Sequence, residues 1–365
     1  MAGGPLPTAY PGSFLGDFDL VVLGEADYAF PDLVGRLLAG EGPAGVPGVV
    51  RREGGSTVSS GPPGHVRDLD AVPHPARAEF PNTRYMAYWM EHFGYAPASI
   101  VATRGCPYSC DFCSRPVSGD DFRARSPDDV VAEAAEVRAL GYRHLWFADD
   151  AFTYDTDLVL AICEGLEGVG VRWDCLSRVD RIDDDMAASM ARAGLSKVYL
   201  GVESGSDATL RLMGKGTTVA EARSAIRTFA AHGVRTAGFF MVGYPGETLP
   251  DAWSTVEMSA LAGLDEVSFT VPYPLPGSPL HDRYRTYIDP MREWGREREN
   301  TPFIETDIPE ATLRMLIETA TEAHRLASGG RREEAVELLA RRRRECERMV
   351  GDREAAVAAR GQVLR

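Results

Sequence analysis

Between residues 99 and 271 the chain alternates short apolar runs with longer stretches in which apolar positions recur every three or four residues. The runs 99–103, 144–147, 171–176, 197–200, 236–242 and 266–271 are too short for helices and predict buried strands. The periodic stretches between them predict helices. Ser126 is placed as an N-cap, Pro127 as the first helical residue and Asp128 and Asp129 as first-turn acids, and Val130, Val131, Ala134, Ala135 and Val137 carry the apolar stripe toward Gly141. Further helices are predicted over 156–167, 184–193 with a stop at Gly194, 219–232 with a stop at Gly233, and 249–262. Strands alternating with helices imply parallel βαβ units, an α/β fold whose ligands lie at the carboxyl ends of the strands.

The flanks read differently. Ahead of the repeats, 17–25 and 49–52 are apolar runs and 30–38 has helical spacing. Behind them, 272–279 is a proline-rich loop, with Tyr273 and Tyr284 near it, and helical spacing returns over 311–326 and 331–350. The basic run Arg341 to Arg344 is followed by Glu345 and Glu347, the pattern of a solvated helix face. The expected division is therefore 1–90, 91–285 and 286–365.

Composition narrows the class. The 365 residues carry 39 Lys+Arg against 54 Asp+Glu, a net charge of −15, with 44% hydrophobic residues. That balance suits a globular chain and repels polyphosphate, so no nucleic-acid partner is expected. No apolar run is long enough to span a membrane, and residues 1–20 lack the basic start and apolar stretch of a secretory signal, so a cytoplasmic protein is expected.

Six cysteines are too few for a disulfide scaffold, and three of them crowd together as Cys106, Cys110 and Cys113. Structural zinc wants four ligands, commonly as two close pairs. A tight set of three thiols suits an iron–sulfur cluster that leaves one iron open. Cys163, Cys175 and Cys346 are isolated and read as buried residues.

The surrounding words sharpen this reading. Cys106-x3-Cys110-x2-Cys113 with Phe112 before the last thiol, Cys113-Ser-Arg-Pro-Val117, Arg123-Ala-Arg-Ser-Pro127, Trp146-Phe-Ala-Asp-Asp150 followed by Phe152-Thr153, Gly201-Val-Glu-Ser-Gly205 and Met241-Val-Gly-Tyr-Pro-Gly-Glu247 resemble the radical S-adenosylmethionine (SAM) enzymes. The likeness covers about residues 18–280. It is to the branch whose members commonly carry an N-terminal cobalamin-binding domain.

The resemblance implies a partial (β/α)6 TIM-like barrel with a small N-terminal α/β remnant and a C-terminal helical tail. It implies one [4Fe–4S] cluster on Cys106, Cys110 and Cys113, and SAM chelating the open iron. An external one-electron reductant of flavodoxin or ferredoxin type would drive SAM cleavage to a 5′-deoxyadenosyl radical. Asp149, Asp150, Glu203 and Ser204 stand at strand ends as polar partners for SAM, Arg178 as the cation for its carboxylate, and Phe112, Phe240 and Val242 as packing for adenine.

Two expectations follow on function. Residues 17–75 look like the last stretch of a cobalamin-binding domain, without its Asp-x-His-x-x-Gly word, and His65 and His74 sit among prolines. A truncated domain that binds no cobalamin is expected. The expected reaction is hydrogen abstraction from a small polar metabolite, such as a sugar nucleoside or aminosugar of antibiotic biosynthesis, ending in decarboxylation or dehydration. The alternatives are a cobalamin-dependent C-methyltransferase and a non-catalytic iron–sulfur protein. No cysteine precedes Cys106, which argues against a methylthiotransferase, and only Cys346 follows the barrel, so a single cluster is expected.

Overall fold

A computed structural model describes residues 1–115, 117–285, 304 and 306–363, with side chains as far as residue 349. The start of the expected third division, from 286 to 303, lies outside the described residues.

Six parallel strands form the central sheet: β1 (Pro97–Ile100), β2 (His144–Phe147), β3 (Arg172–Ser177), β4 (Leu195–Glu203), β5 (Arg235–Met241) and β6 (Glu266–Thr270). They neighbour one another in chain order from β1 to β6, each pair parallel. The crossovers are α1 (Pro127–Ala139), α2 (Thr156–Val169), α3 (Asp184–Arg192), α4 (Val219–Ala231) and α5 (Leu249–Leu261). The result is the partial (β/α)6 barrel.

Local chemistry starts each helix where the sequence places it. Ser126 accepts from the Asp129 amide, and Thr218 and Glu221 form a reciprocal capping box. Asp155, Asp183 and Thr248 cap the other three crossovers in the same way.

The sheet's outer face packs on these helices through Leu145, Phe147, Trp173, Cys175, Val198, Leu200 and Phe240, all essentially inaccessible. Side chains of this size contribute about 1.5–3 kcal/mol each when buried, so this layer dominates the stability of the barrel. Past β6, α6 (Glu310–Ser328) and α7 (Arg332–Val363) pack on α5 through Trp253, Leu313, Leu316 and Leu339.

The first sixty residues build a small mixed sheet from Ala2–Gly3, Leu20–Val22, Val49–Glu53 and Ser56–Ser59, with the helix Ala29–Leu38 against it. Two ion pairs, one buried and one half-buried, bolt this unit to the barrel. Arg123 reaches Glu25 at 2.6 and 2.9 Å, and Arg104 grips Asp27 at 2.7 and 2.9 Å. Burial opposes the charge on Glu25, and hydrogen bonds from Arg123 and the Val66 amide hold its carboxyl below the usual range nonetheless. Both arginines lie on the two-stranded ribbon Thr103–Arg104 with Arg123–Ala124, which brackets the cysteine loop.

Candidate active site

The cysteine loop leaves the barrel at the carboxyl end of β1. There the expected single strand 99–103 breaks after Ile100, and Thr103–Arg104 turns away to pair antiparallel with Arg123–Ala124. Gly105 makes the turn at φ 79°, and a Cβ there would run into the Asp121 carbonyl oxygen.

Asp111 anchors the loop from below. Its amide donates to the Met213 carbonyl at 2.8 Å, its carbonyl accepts from the Leu280 amide at 2.9 Å, and its carboxylate takes hydrogen bonds from Tyr244 and Arg283. Burial and the facing Asp111 carboxylate push the Tyr244 phenol far above its usual range, so Tyr244 remains a donor. Phe112 packs into the apolar cluster of Met213, Met241, Tyr244 and Leu280 beneath the loop.

The loop's three thiols are free, Cys110 buried and Cys106 and Cys113 half-buried. Burial raises both partly covered thiols, Cys113 to about 11, with neighbouring thiols adding to the rise. Among the described residues no three His, Cys, Asp or Glu side chains converge as ligands of one ion. A single tetrahedral zinc would need that convergence. An iron–sulfur cluster takes each thiolate on a separate iron, so three soft donors spread along one loop fit it.

The other expected site residues divide into two groups. Arg178, directly after β3, stands beside the thiols: Nη1 is 3.8 Å from Cys110 Sγ and the guanidinium lies 3.6 Å over the Tyr108 ring. Asp180 binds it at 2.9 and 3.0 Å; burial works against its charge, and Asp180 more than offsets that. Asp150 is exposed at the same rim. Partial covering of its carboxyl by neighbouring groups raises it, while the Gly105 amide and Arg115 pull the other way.

Glu203 ends β4 at a bulge, and among the described residues it alone adopts positive φ without being glycine, at 63°. Such strain costs of order 1–3 kcal/mol and clusters at functional sites. Its carboxylate is 2.7 Å from Lys215 Nζ, both groups are buried, and Lys215 Nζ lies 5.9 Å from the Phe112 ring.

Three expectations are corrected by packing. Asp149 is 1% exposed, and its carboxylate takes hydrogen bonds from the Ala102 and Thr103 amides and the Thr103 hydroxyl, so it is a strut for the cysteine loop, with burial raising it to about 7. Ser204 is fully buried and bonds Thr255 at 2.8 Å. Phe240 and Val242 point to the helix layers, Phe240 stacking on Phe269 and Val242 joining the cluster under α6. The side chains of β5 on the opposite face include Ala237, Phe239 and Met241.

Lys215 was not singled out by sequence reasoning. The available signal was its place in Met213-Gly-Lys-Gly216, where Gly214 and Gly216 both take left-handed φ, 59° and 69°, and turn the chain back toward the thiols.

A partial parallel barrel with a three-thiol loop at the carboxyl end of its first strand defines the radical SAM class. A Radical SAM superfamily model matches residues 100–259, and the chain belongs to that superfamily. The family implies a [4Fe–4S] cluster and SAM.

Among its relatives, an uncharacterized methyltransferase of Pyrococcus horikoshii is 30% identical over 287 residues, which is 76% of this chain and 61% of that protein. The anaerobic magnesium-protoporphyrin IX monomethyl ester cyclase of Cereibacter sphaeroides is 28% identical over 281 residues, 74% of this chain and 45% of that protein. The chain thus spans about half to three fifths of these relatives' lengths. Among solved structures, TsrM from Kitasatospora setae, a radical SAM methyltransferase, superposes with TM-score 0.66 at 20% identity over 76% of this chain and 56% of that one. The cobalamin-dependent radical SAM enzyme OxsB superposes with TM-score 0.65 at 19% identity over 87% of this chain and 53% of that one. The two sequence relatives are a methyltransferase and a cyclase, and they do not support the expected decarboxylation or dehydration. Among the described residues no helix is long and apolar enough to cross a membrane.

Proposed function

We propose that the chain is a radical SAM methyltransferase acting on a small molecule. The observation that carries the reading is the rim itself: three soft thiols on one loop, with a buried Glu203–Lys215 pair and Arg178 beside them, in a chain 30% identical to a methyltransferase. When bound, a [4Fe–4S] cluster supplies one electron to SAM.

The chain's own residues hold and orient. Cys106, Cys110 and Cys113 serve as the cluster's ligands. Arg178 keeps a positive charge against the Cys110 sulfur. Lys215 and Glu203 present one charge of each sign at a fixed position, and Asp150 adds an acid at the mouth, which suits a ligand carrying both a carboxylate and an amine. Phe112 and the cluster beneath it keep the loop from collapsing.

The test is anaerobic reconstitution followed by incubation with SAM bearing a deuterated methyl group and a chemical reductant. S-adenosylhomocysteine as a product is expected; 5′-deoxyadenosine as sole product would return the chain to hydrogen-abstraction chemistry, and an absence of any SAM cleavage would make it a non-catalytic iron–sulfur protein. The methyl carrier is where the sequence expectation of no cobalamin differs from the cobalamin-dependent OxsB. Stoichiometric binding of hydroxocobalamin would support a corrinoid route, and a failure to bind would support one without it.

A further inference from the structure

The sheet's inner face carries chemistry that the thiol rim does not use. Register sets Trp146 opposite Asp174, and Asp174 opposite Lys197, in one row across β2, β3 and β4. Above this row Tyr199 meets Trp146 edge-on at 5.2 Å and stacks on Phe239 at 5.7 Å and 21°. All three aromatics are half-buried, and Ser99 and Ser268 on the flanking strands are exposed. The inner face is therefore open where the outer face is sealed.

The row beneath the aromatics is polar and incompletely paired. His144 Nε2 lies 3.0 Å from Asp174 Oδ2, and the Tyr95 ring covers His144 at 4.7 Å. Lys197 is engaged by Glu266 at 3.1 Å and by the Tyr199 ring at 4.6 Å. Asp174 is 3% exposed, yet its Oδ1 makes no hydrogen bond among the described residues. An unsatisfied buried polar atom is costly, and native folds retain few without a reason.

We propose that this inner face is the substrate's berth: a planar aromatic or heteroaromatic body lies against Trp146, Tyr199 and Phe239, and an amine on it donates to Asp174 Oδ1. The assignment rests on the enzyme reading above and names the class of substrate it requires. From Asp174 to Arg178 the chain advances four residues, roughly 13 Å at strand rise. A substrate of bicyclic size anchored at Asp174 thus directs its far end toward the thiol rim. The aromatics supply dispersion and area, and the carboxylate selects orientation.

Calorimetric titration of the reconstituted protein tests this with three probes: tryptamine, which has both the ring and the amine, N-methylindole, which has only the ring, and cyclohexylamine, which has only the amine. Tryptamine is expected to bind most tightly and cyclohexylamine not at all. Asp174→Asn is expected to weaken tryptamine at least tenfold and leave N-methylindole unchanged, and Tyr199→Leu to weaken both ring-bearing probes. Should Asp174→Asn fail to fold, Tyr199→Leu and Phe239→Leu carry the test. Failure of tryptamine to bind, or binding indifferent to these substitutions, overturns the berth. SAM cleavage in the same preparations reports on the enzyme reading separately, so cleavage without probe binding overturns the berth alone, and probe binding without cleavage overturns the enzyme reading alone.

Discussion

The two faces of the barrel sheet are built from the same six strands and obey opposite rules. On the outer face Phe147, Trp173, Val198, Leu200 and Phe240 are sealed under helices, and what matters is volume and fit. On the inner face and its rim, Trp146, Tyr199 and Phe239 are half-open, Asp174 carries an unpaired carboxylate oxygen, and Glu203 holds a strained backbone. Stability is concentrated on one side and chemistry on the other, and the stable side supports the strain of the other.

The largest effect expected from this contrast is on the outer face. Phe147→Ala should cost about 3–5 kcal/mol in chemical denaturation, the range for emptying a packed aromatic site. The thiol loop's geometry should survive in whatever fraction remains folded. If the loss is near 1 kcal/mol, the outer layer is not the foundation it is taken to be.

Next comes the buried ion pair. Lys215→Met leaves Glu203 buried without its partner and should cost about 3 kcal/mol, in line with breaking buried pairs, while Lys215→Met combined with Glu203→Gln should recover part of that loss. A double variant as unstable as the single one would deny the coupling read from the 2.7 Å contact.

How much of this was legible in the sequence follows from the same contrast. The outer face wrote itself into the chain as apolar runs and capped helices, so β2 falls on 144–147 as expected and α5 ends one residue early. The inner face did not. Both parities of β5 and the residue after it are apolar, Ala237, Phe239 and Met241 against Gly238, Phe240 and Val242, so alternation cannot tell which side faces the mouth, and Phe240 and Val242 lie on the face opposite to the expected one. Lys215 comes to Glu203 through a loop with no periodicity, and Asp149 looks on paper like any exposed strand-end acid until its backbone partners are seen. The helix Asn82–Phe93 went unread because its Tyr85, Tyr88, Met90 and Phe93 are exposed and leave no buried stripe.

A third prediction concerns pH. Glu247 closes the loop after β5, accepting from the Gly243 amide at 2.6 Å, and burial raises its carboxyl from 4.5 to about 7. Between these values the unfolded chain gives up this proton and the folded one keeps it. Stability should therefore fall as pH rises from about 4.5 to 7, by about 3 kcal/mol from this group, and stay reduced above that. Denaturation curves at pH 5 and 8 check the sign, and the difference should shrink in Glu247→Gln. A protein equally stable at both values would place Glu247 in a more polar setting than its burial indicates.

The smallest stability effect belongs to the inner face. Phe239→Ala removes a half-buried ring that stacks on Tyr199 and should cost about 1 kcal/mol, the scale of an aromatic pair. A loss equal to that of Phe147→Ala would erase the distinction between the faces.

The most direct test of the whole account is the reductive incubation of SAM with the reconstituted protein beside its Cys106→Ala, Cys110→Ala and Cys113→Ala variants. The account predicts about four irons per chain and SAM cleavage in the parent, with both lost in each variant. A parent that binds no iron, or a variant that cleaves SAM as well as the parent, would contradict it.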